Sequence, residues 1–425
     1  MEIEALHKIF LQHPNICTDT RKIRKGDLFF ALMGDNFNGN EYAIQALQKG
    51  ASFAVVDEQK HTTSENCILV EDVLTTLQKL ANFHRHFCSA KIISLTGSNG
   101  KTTTKELINA VLSKKYKTIA TKGNLNNHIG VPLTLLTIKK DTEIAIVEMG
   151  ANHQKEIAFL SSLAEPDFGY ITNFGKAHLE GFGGVEGVIK GKSELYEYLL
   201  KHGKIVFLNA DDPIQKQKTG HYIKKYGYSQ NDSQFYKIEM ISANPYVNVK
   251  VEDIVINSQL IGAYNFTNCS AAILMGKYFN VPLNEIKEAI TSYVPENNRS
   301  QIIKRKGYHV ILDAYNANPT SMNAALESFE AMEAKHKILF LGDMFELGDT
   351  TAKEHQKIAD TCSNLGFEEV ILIGENFHGT NTDFIKFGQF KELKAYLKEY
   401  KLKKDASILI KGSRGMALER VLDLL

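Results

Sequence analysis

Thr96-Gly97-Ser98-Asn99-Gly100-Lys101-Thr102-Thr103 is the run in this 425-residue sequence best suited to chemistry. Gly97 and Gly100 permit backbone angles that side chains forbid, so successive amide N–H groups can close on phosphate oxygens. Lys101 is placed to reach the outer phosphates of a nucleotide, and the Thr102 hydroxyl to sit on Mg²⁺. The run follows KIISLTG (91–97), which reads as a buried strand, and opens the stretch 102–116. There Leu107, Ile108, Val111 and Leu112 fall on one helical face. A strand before and a helix after is the setting such a loop requires, because the helix N-terminus adds partial positive charge. The full G-x-x-x-x-G-K-[ST] pattern wants glycine at position 95, which is Leu95. Taken alone, G-K-T-T also fits a tight turn carrying a surface lysine, the lesser of the two readings. With its flanks it predicts ATP or GTP binding and leaves the reaction open.

Short apolar runs alternate with amphipathic stretches along most of the chain, the pattern of parallel sheets covered by helices on both faces. EIAIVEMG (143–150) and DFGYITNF (167–174) read as buried strands with the helical EIAFLSSLA between them. The alternation restarts near residue 300 with YHVILDAY, SMNAALESFEAME, KILFLGDM, AKEHQKIADTC, EVILIGEN, FKELKAYLKEY, ASILIKGSRG and MALERVLDLL. PENNRSQ (295–301), polar and led by proline, reads as a linker. GDLFFAL and ASFAVVDE read as strands of a smaller first unit that ends with the helix LTTLQKLANFHRHF. The expected division is three α/β domains, at 1–88, 89–297 and 298–425. The central one is a phosphate-loop ATPase with a mostly parallel sheet, and the last is Rossmann-like.

Fifty basic residues balance 49 acidic ones, so no strong field suits nucleic acid or an anionic membrane. The five cysteines (Cys17, Cys67, Cys88, Cys269, Cys362) are scattered, without a C-x-x-C pair, which fits a reducing cytosol rather than a disulfide or zinc framework. MEIEALHKIF has no signal-peptide character, and no apolar run reaches the ~18 residues of a membrane span. A cytoplasmic protein is expected.

TGSNGKTTTKE, GNLNNHIGVPLTLL, VEMGANHQKEI and NFGKAHLEGFGG resemble the ATPase domain of the Mur ligase family. DAYNANPTSMNAAL (313–326), LGDMFELG (341–348) and KGSRGMALE (411–419) favour one member, and the matching segments run from about Thr18 to about Glu419. The resemblance implies an ATP- and Mg²⁺-dependent ligase of peptidoglycan precursor synthesis, with no nucleic-acid partner, acting as a monomer. UDP-N-acetylmuramoyl-tripeptide would be activated as an acyl phosphate and joined to D-alanyl-D-alanine. A carboxylate attacking a γ-phosphate must overcome repulsion between anions, so lysine and Mg²⁺ are needed to neutralise developing charge.

By the same resemblance Glu148 and His178 are metal ligands and Lys192 is the lysine that the family carbamylates. Without the family, Glu148 is equally a strand-end carboxylate paired with a lysine, His178 a lone structural or surface histidine, and Lys192 a solvated helix lysine. Asn265 and Asn268 match the adenine-side segment, where Tyr264 stands in place of the usual histidine; the plainer reading is a helix cap. Arg299 resembles an arginine on the ATP phosphates and Asp313 a ribose-binding aspartate, with Leu312 in place of an adjacent second acid. Tyr315, Asn316 and Asn318 belong to that segment. Thr18, Asp19, Thr20 and Arg21 resemble the grip on the UDP end, Arg21 being able to pair with a pyrophosphate. Asn38-Gly39-Asn40 replaces the family's Asp-Gly-His. Lys411, Ser413 and Arg414 are candidates for the dipeptide's carboxylate.

Two other enzyme readings stay within the superfamily: a folate polyglutamate ligase, or the lysine- or diaminopimelate-adding Mur ligase. YNANP and LGDMFELG speak against both. A GTP-hydrolysing switch would need an N-K-x-D segment, which the sequence lacks.

Overall fold

Runs of aliphatic residues become strands wherever helices can bury both their faces, and the central strand shows this most clearly. In the computed structural model, which describes every residue except Asn297, strand Lys91–Thr96 buries Ile92 in one core and Ile93 and Leu95 in the other. Helices Lys101–Leu112 and Asn265–Tyr278 cover one face of its sheet, and Glu156–Ala164 and Val185–Lys201 the other. Leu107, Ile108, Val111 and Leu112 are all fully buried, as their spacing predicts. The helix ends at Leu112, short of the expected 116, in a tight turn closed by Lys114 N–H to Val111 O.

The central sheet has nine strands. From Thr118–Ala120 at one edge it runs through Ile144–Glu148, Lys91–Thr96, Phe168–Ile171, Ile205–Asn209 and Lys225–Ser229 to Tyr236–Ser242, all parallel. The chain leaves Lys91–Thr96 first to one side and later to the other. Its carboxyl end is therefore the switch point at which open α/β sheets bind ligand. Two antiparallel strands, Tyr246–Val251 and Ile254–Ile261, extend the far edge, a feature the sequence reading does not contain.

The first unit carries a four-stranded parallel sheet, Ile16–Cys17, Leu28–Phe30, Phe53–Val56 and Cys67–Leu69. Its closing helix Val73–Phe87 starts where the Asp72 side chain accepts from Thr75 N–H at 2.6 Å. That helix packs on Ile3–Gln12 and also on the central helices Gly130–Leu135 and Glu156–Ala164. The last unit has six strands, parallel except for the edge strand Gln301–Arg305. Its final stretch, expected to continue the β/α alternation, forms short 3₁₀ turns instead, because Ala417 sits in the left-handed region at φ 48°.

No helix among the described residues is long and apolar enough to cross a membrane.

Candidate active site

Residues 98–103 leave the switch point and line a cavity of about 530 Å³ shared with the last unit. Leu95 is fully buried inside the strand, so the turn falls to Gly97, at φ 144°. A Cβ there would lie 1.9 Å from Thr172 Oγ1, and one on Gly100 (φ 78°) 2.6 Å from Asn268 Oδ1. Both positions demand glycine. No side chain caps the helix that follows, which leaves its first amides for an anion. Thr102 is buried beside it, with Thr103 also on the cavity wall. Asn99 N–H is held by Asn173 Oδ1 at 3.0 Å, and Ser98 Oγ donates to Gly175 O at 2.8 Å. Lys101 folds back on the loop, donating to Gly97 O at 2.7 Å. Burial lowers its pKa; Glu148 opposes the shift and Arg299 adds to it.

Glu148, buried at the end of its strand, accepts from Asn126 Nδ2 at 2.8 Å through Oε1. Oε2 has no hydrogen-bond partner among the described residues, and its nearest cation, Lys105 Nζ, stands 3.9 Å away. Both plain and functional readings of Glu148 thus have a physical basis: a nearby lysine, and a carboxylate oxygen left open beside the cavity. Among the described residues no cluster of three His, Cys, Asp or Glu could hold a metal. A cation here would draw on the Thr102 hydroxyl, Glu148 Oε2 and nucleotide oxygens, the oxygen-rich set that Mg²⁺ favours. His178 lines the same cavity.

Lys192 is fully buried, unlike the exposed Lys190 two residues earlier on another face of the helix, so a solvated helix lysine is excluded. Its Nζ donates to Ala151 O at 3.0 Å and lies 4.9 Å from the centre of the Phe182 ring. Lys192 itself is behind the wall, while Ala151 forms part of it. Burial lowers its pKa far below that of a free lysine, and the charge of Lys101 pushes the same way.

Across the cavity, the Arg299 guanidinium stacks 3.6 Å from the centre of the Tyr315 ring, and its buried Nε has no partner among the described residues. Asp313 accepts from Ser300 N–H at 3.1 Å and pairs with Lys411 at 2.5 Å. Leu312 is buried in the core on the strand's other face, so at this point only Asp313 reaches the cavity. Asn265, Asn268 and Thr104 form a buried chain: Asn268 Nδ2 to Asn265 Oδ1 at 2.7 Å, and Thr104 Oγ1 to Asn268 Oδ1 at 2.9 Å. Tyr264 substitutes a hydroxyl bonded to Ser300 Oγ at 2.7 Å for an imidazole.

The Mur ligase family catalytic domain matches residues 14–87, the Mur ligase middle domain 95–276 and the Mur ligase glutamate ligase domain 298–414. The UDP-N-acetylmuramoyl-tripeptide–D-alanyl-D-alanine ligase of Bacillus subtilis (strain 168) is 36% identical over 420 residues, spanning 96% of this chain and 92% of its own. The chain belongs to the Mur ligase family. Among solved structures it is similar to MurF from Acinetobacter baumannii, with TM-score 0.86 and 29% identity over 96% of this chain and 93% of that one. MurF ligase from Thermotoga maritima in complex with ADP aligns with TM-score 0.84 and 25% identity over 97% of both chains.

Other residues expected of a Mur ligase lie apart from this cavity or are engaged within the protein. None of Thr18, Asp19, Thr20 and Arg21 lines it; Arg21 grips Asp19 at 2.9 Å through both Nε and Nη2. Lys411 is buried on Asp313, and Ser413 is buried between Phe345 N–H (3.0 Å) and Ala317 O (3.3 Å). Lys411 lines the cavity while its ammonium rests on Asp313 and Asn316 O, and the Ser413 hydroxyl is engaged within the last unit. Arg414 is exposed and pairs with Glu419 at 2.7 Å. Asn316 Oδ1 accepts from Ala317 N–H, while Asn318 caps helix Pro319–Glu330 and donates to Asn99 Oδ1 at 2.7 Å. Asn40 is fully buried and binds Asp57 with both amide atoms, so in this Mur ligase Asn38-Gly39-Asn40 braces its own loop. Sequence reasoning missed Lys105, Asn126 and Glu346. Glu346 stood in a quoted segment, but nothing in its spacing says that it reaches His178.

Proposed function

We propose that this chain is an ATP-dependent ligase that joins D-alanyl-D-alanine to UDP-N-acetylmuramoyl-tripeptide, in the cytoplasm and as a monomer, in peptidoglycan precursor synthesis. The observation that carries this reading is one cavity lined by Lys101, Thr102, Glu148, His178, Arg299 and Asp313, in a chain similar along its whole length to ligases so named. The UDP end of the substrate is assigned to 1–88, ATP to 89–297 and the acceptor to 298–425.

A carboxylate oxygen of the tripeptide attacks the γ-phosphorus, and the bond to the β-phosphate oxygen breaks to release ADP. Loop amides, Lys101 and Arg299 take up the charge that gathers on the transferring phosphoryl group. To do so Lys101 must leave Gly97 O, exchanging one acceptor for another. Asn265 and Asn268 act by holding helix to helix behind the loop, and Asp313 offers an acceptor for a ribose hydroxyl. Thr102, Glu148, His178 and a carbamylated Lys192 would hold Mg²⁺, which supplies charge neutralisation when bound. The neutral Lys192 amine adds to CO₂, forming an N–C bond and releasing a proton; the carbamate is then an anion with oxygen donors. The neutral acceptor amine finally displaces phosphate from the acyl phosphate and forms the amide.

Phosphate release is to be measured with Mg²⁺-ATP, each UDP-tripeptide and a panel of amines. Release is expected with D-alanyl-D-alanine. If L-lysine, diaminopimelate or glutamate supports it and the dipeptide does not, the acceptor assignment is wrong.

A further inference from the structure

His178 and Glu346 lie 168 residues apart, on loops of two different sheets, yet His178 Nδ1 and Glu346 Oε2 meet at 2.5 Å. Both residues stand in the left-handed region, at φ 53° and 61°, where non-glycine residues persist only when surroundings enforce it. Glu180 N–H also donates to Glu346 O at 3.2 Å, so the two loops are joined by backbone as well. Nearby, Lys176 N–H donates to Thr320 Oγ1 at 2.8 Å and Lys176 Nζ pairs with Glu354 at 2.9 Å. Residues 176–180 therefore form one part of the contact between the central and last units, beside the bond from Asn318 to Asn99.

A carboxylate only accepts, so the imidazole nitrogen facing it must carry the hydrogen. In the neutral ring the lone pair is then on Nε2, which makes no hydrogen bond among the described residues, while His178 lines the cavity. His355 shows what a purely structural histidine looks like in this chain. It is fully buried, with Nδ1 on Thr351 O at 2.7 Å and Nε2 on Met344 N–H at 3.0 Å, so both nitrogens are used.

We infer that Glu346 is a positioning residue that holds His178 in the Nδ1–H form, so that docking of the last unit presents Nε2 to the cavity as a cation ligand. This rests on the proposed reading of His178 as a metal ligand. Such outer partners of ligating histidines change metal affinity by roughly 10–100-fold. Because linkage is reciprocal, whatever docking adds to cation affinity at His178 the bound cation returns as a preference for the docked arrangement. The cation position at His178 and the acceptor-binding unit are then assembled in one step, which restricts phosphoryl transfer to the docked state.

Nitrogen-15 NMR of histidine-labelled full-length protein reads the tautomer without any turnover. His178 should show a protonated Nδ1 in the wild type, lose it in Glu346→Ala, and keep it in Glu346→Gln, whose amide oxygen still accepts. Lys176→Met breaks neighbouring contacts and should leave the tautomer intact. Mn²⁺ binding in the presence of a non-hydrolysable ATP analogue, followed by electron paramagnetic resonance, reads the cation. Glu346→Ala and His178→Ala should each weaken one Mn²⁺ by about tenfold or more, and the double variant no further. An unchanged tautomer in Glu346→Ala, or its loss in Lys176→Met, overturns the inference. So do additive losses in the double variant, or Mn²⁺ binding indifferent to His178→Ala. Normal ligation by Lys101→Ala would instead remove the proposed function while the tautomer result stood.

Discussion

The phosphate loop and the turn at residues 18–21 are both short polar runs with one long cation, and they are prepared for ligand in opposite ways. Around Lys101 the backbone is fixed before ligand arrives, by two glycines that no other residue can replace and by Thr172, Asn173 and Asn318 from two other segments. Arg21 is 85% exposed and closes on a carboxylate two residues away, which pulls the Asp19 pKa down to about 2. The nucleotide end is a preorganised cradle; the other end is a solvated pair whose arginine must exchange Asp19 for a pyrophosphate. Preorganisation stabilises charge that develops during reaction, whereas a surface arginine contributes mainly to holding the substrate.

The sharpest way to break this contrast is Lys101→Ala. Ligation should fall by at least about 10²–10³-fold, the scale of losing one preorganised charge-stabilising group. Thermal unfolding should shift little, since the lysine makes only two bonds to its own loop. Near-normal turnover would mean that the loop is an ordinary turn. Next comes Lys192→Ala, expected to lose activity by about 10²-fold and to regain part of it with added short-chain carboxylic acids. Exposed Lys190→Ala should be mild. Wild-type rates for Lys192→Ala in bicarbonate-free buffer would end the carbamate role.

A smaller effect concerns the folded state itself. Lys192 is a buried cation site with one backbone acceptor and no carboxylate partner among its bonds. Its folded pKa is lowered relative to the unfolded ~10.4, so the unfolded chain binds more protons between those values and stability rises with pH there. Lys192→Met should therefore stabilise the protein by about 1–3 kcal/mol below the folded pKa, with the gain shrinking as pH approaches ~10. Denaturant midpoints in CO₂-free buffer at several pH values test this. A destabilised or pH-independent variant would show that the amine is better accommodated than its burial suggests.

Legibility in the sequence follows the same contrast. The loop could be read because its glycines, lysine and flanking apolar periods lie within one contiguous stretch. Leu95, which breaks the familiar pattern, proved to be a strand residue whose absent glycine is not needed. The parallel sheets were readable from continuous aliphatic runs. The antiparallel edge at residues 246–261 was not, because its alternation of buried and exposed residues carries a weaker signal. What stayed hidden depends on pairing across long separations: Glu346 on His178, Lys411 on Asp313, Lys105 near Glu148. Lys411 and Arg414 looked alike in sequence, as two cations beside glycines. Only the fold separates a buried tie between strands from a solvated side chain.

Arg21→Ala should produce the smallest effect and divides the two regions most cleanly. The pair it breaks is exposed and screened by water, so thermal unfolding should barely move. If Arg21 holds a pyrophosphate, its loss removes binding shared equally by ground and transition states. KM for the UDP-substrate should then rise by about tenfold while kcat stays within about twofold, and KM for ATP should not move. The expected loss is modest because Asp19 already occupies the guanidinium in the free protein, and that bond must be surrendered before the new one forms. Asp19→Asn sharpens the test: it weakens the competing partner, so KM for the UDP-substrate should stay level or fall. A drop in kcat for Arg21→Ala would mean that residues 18–21 act in the chemical step, and the division between a cradle at one end and a solvated grip at the other would have to be abandoned.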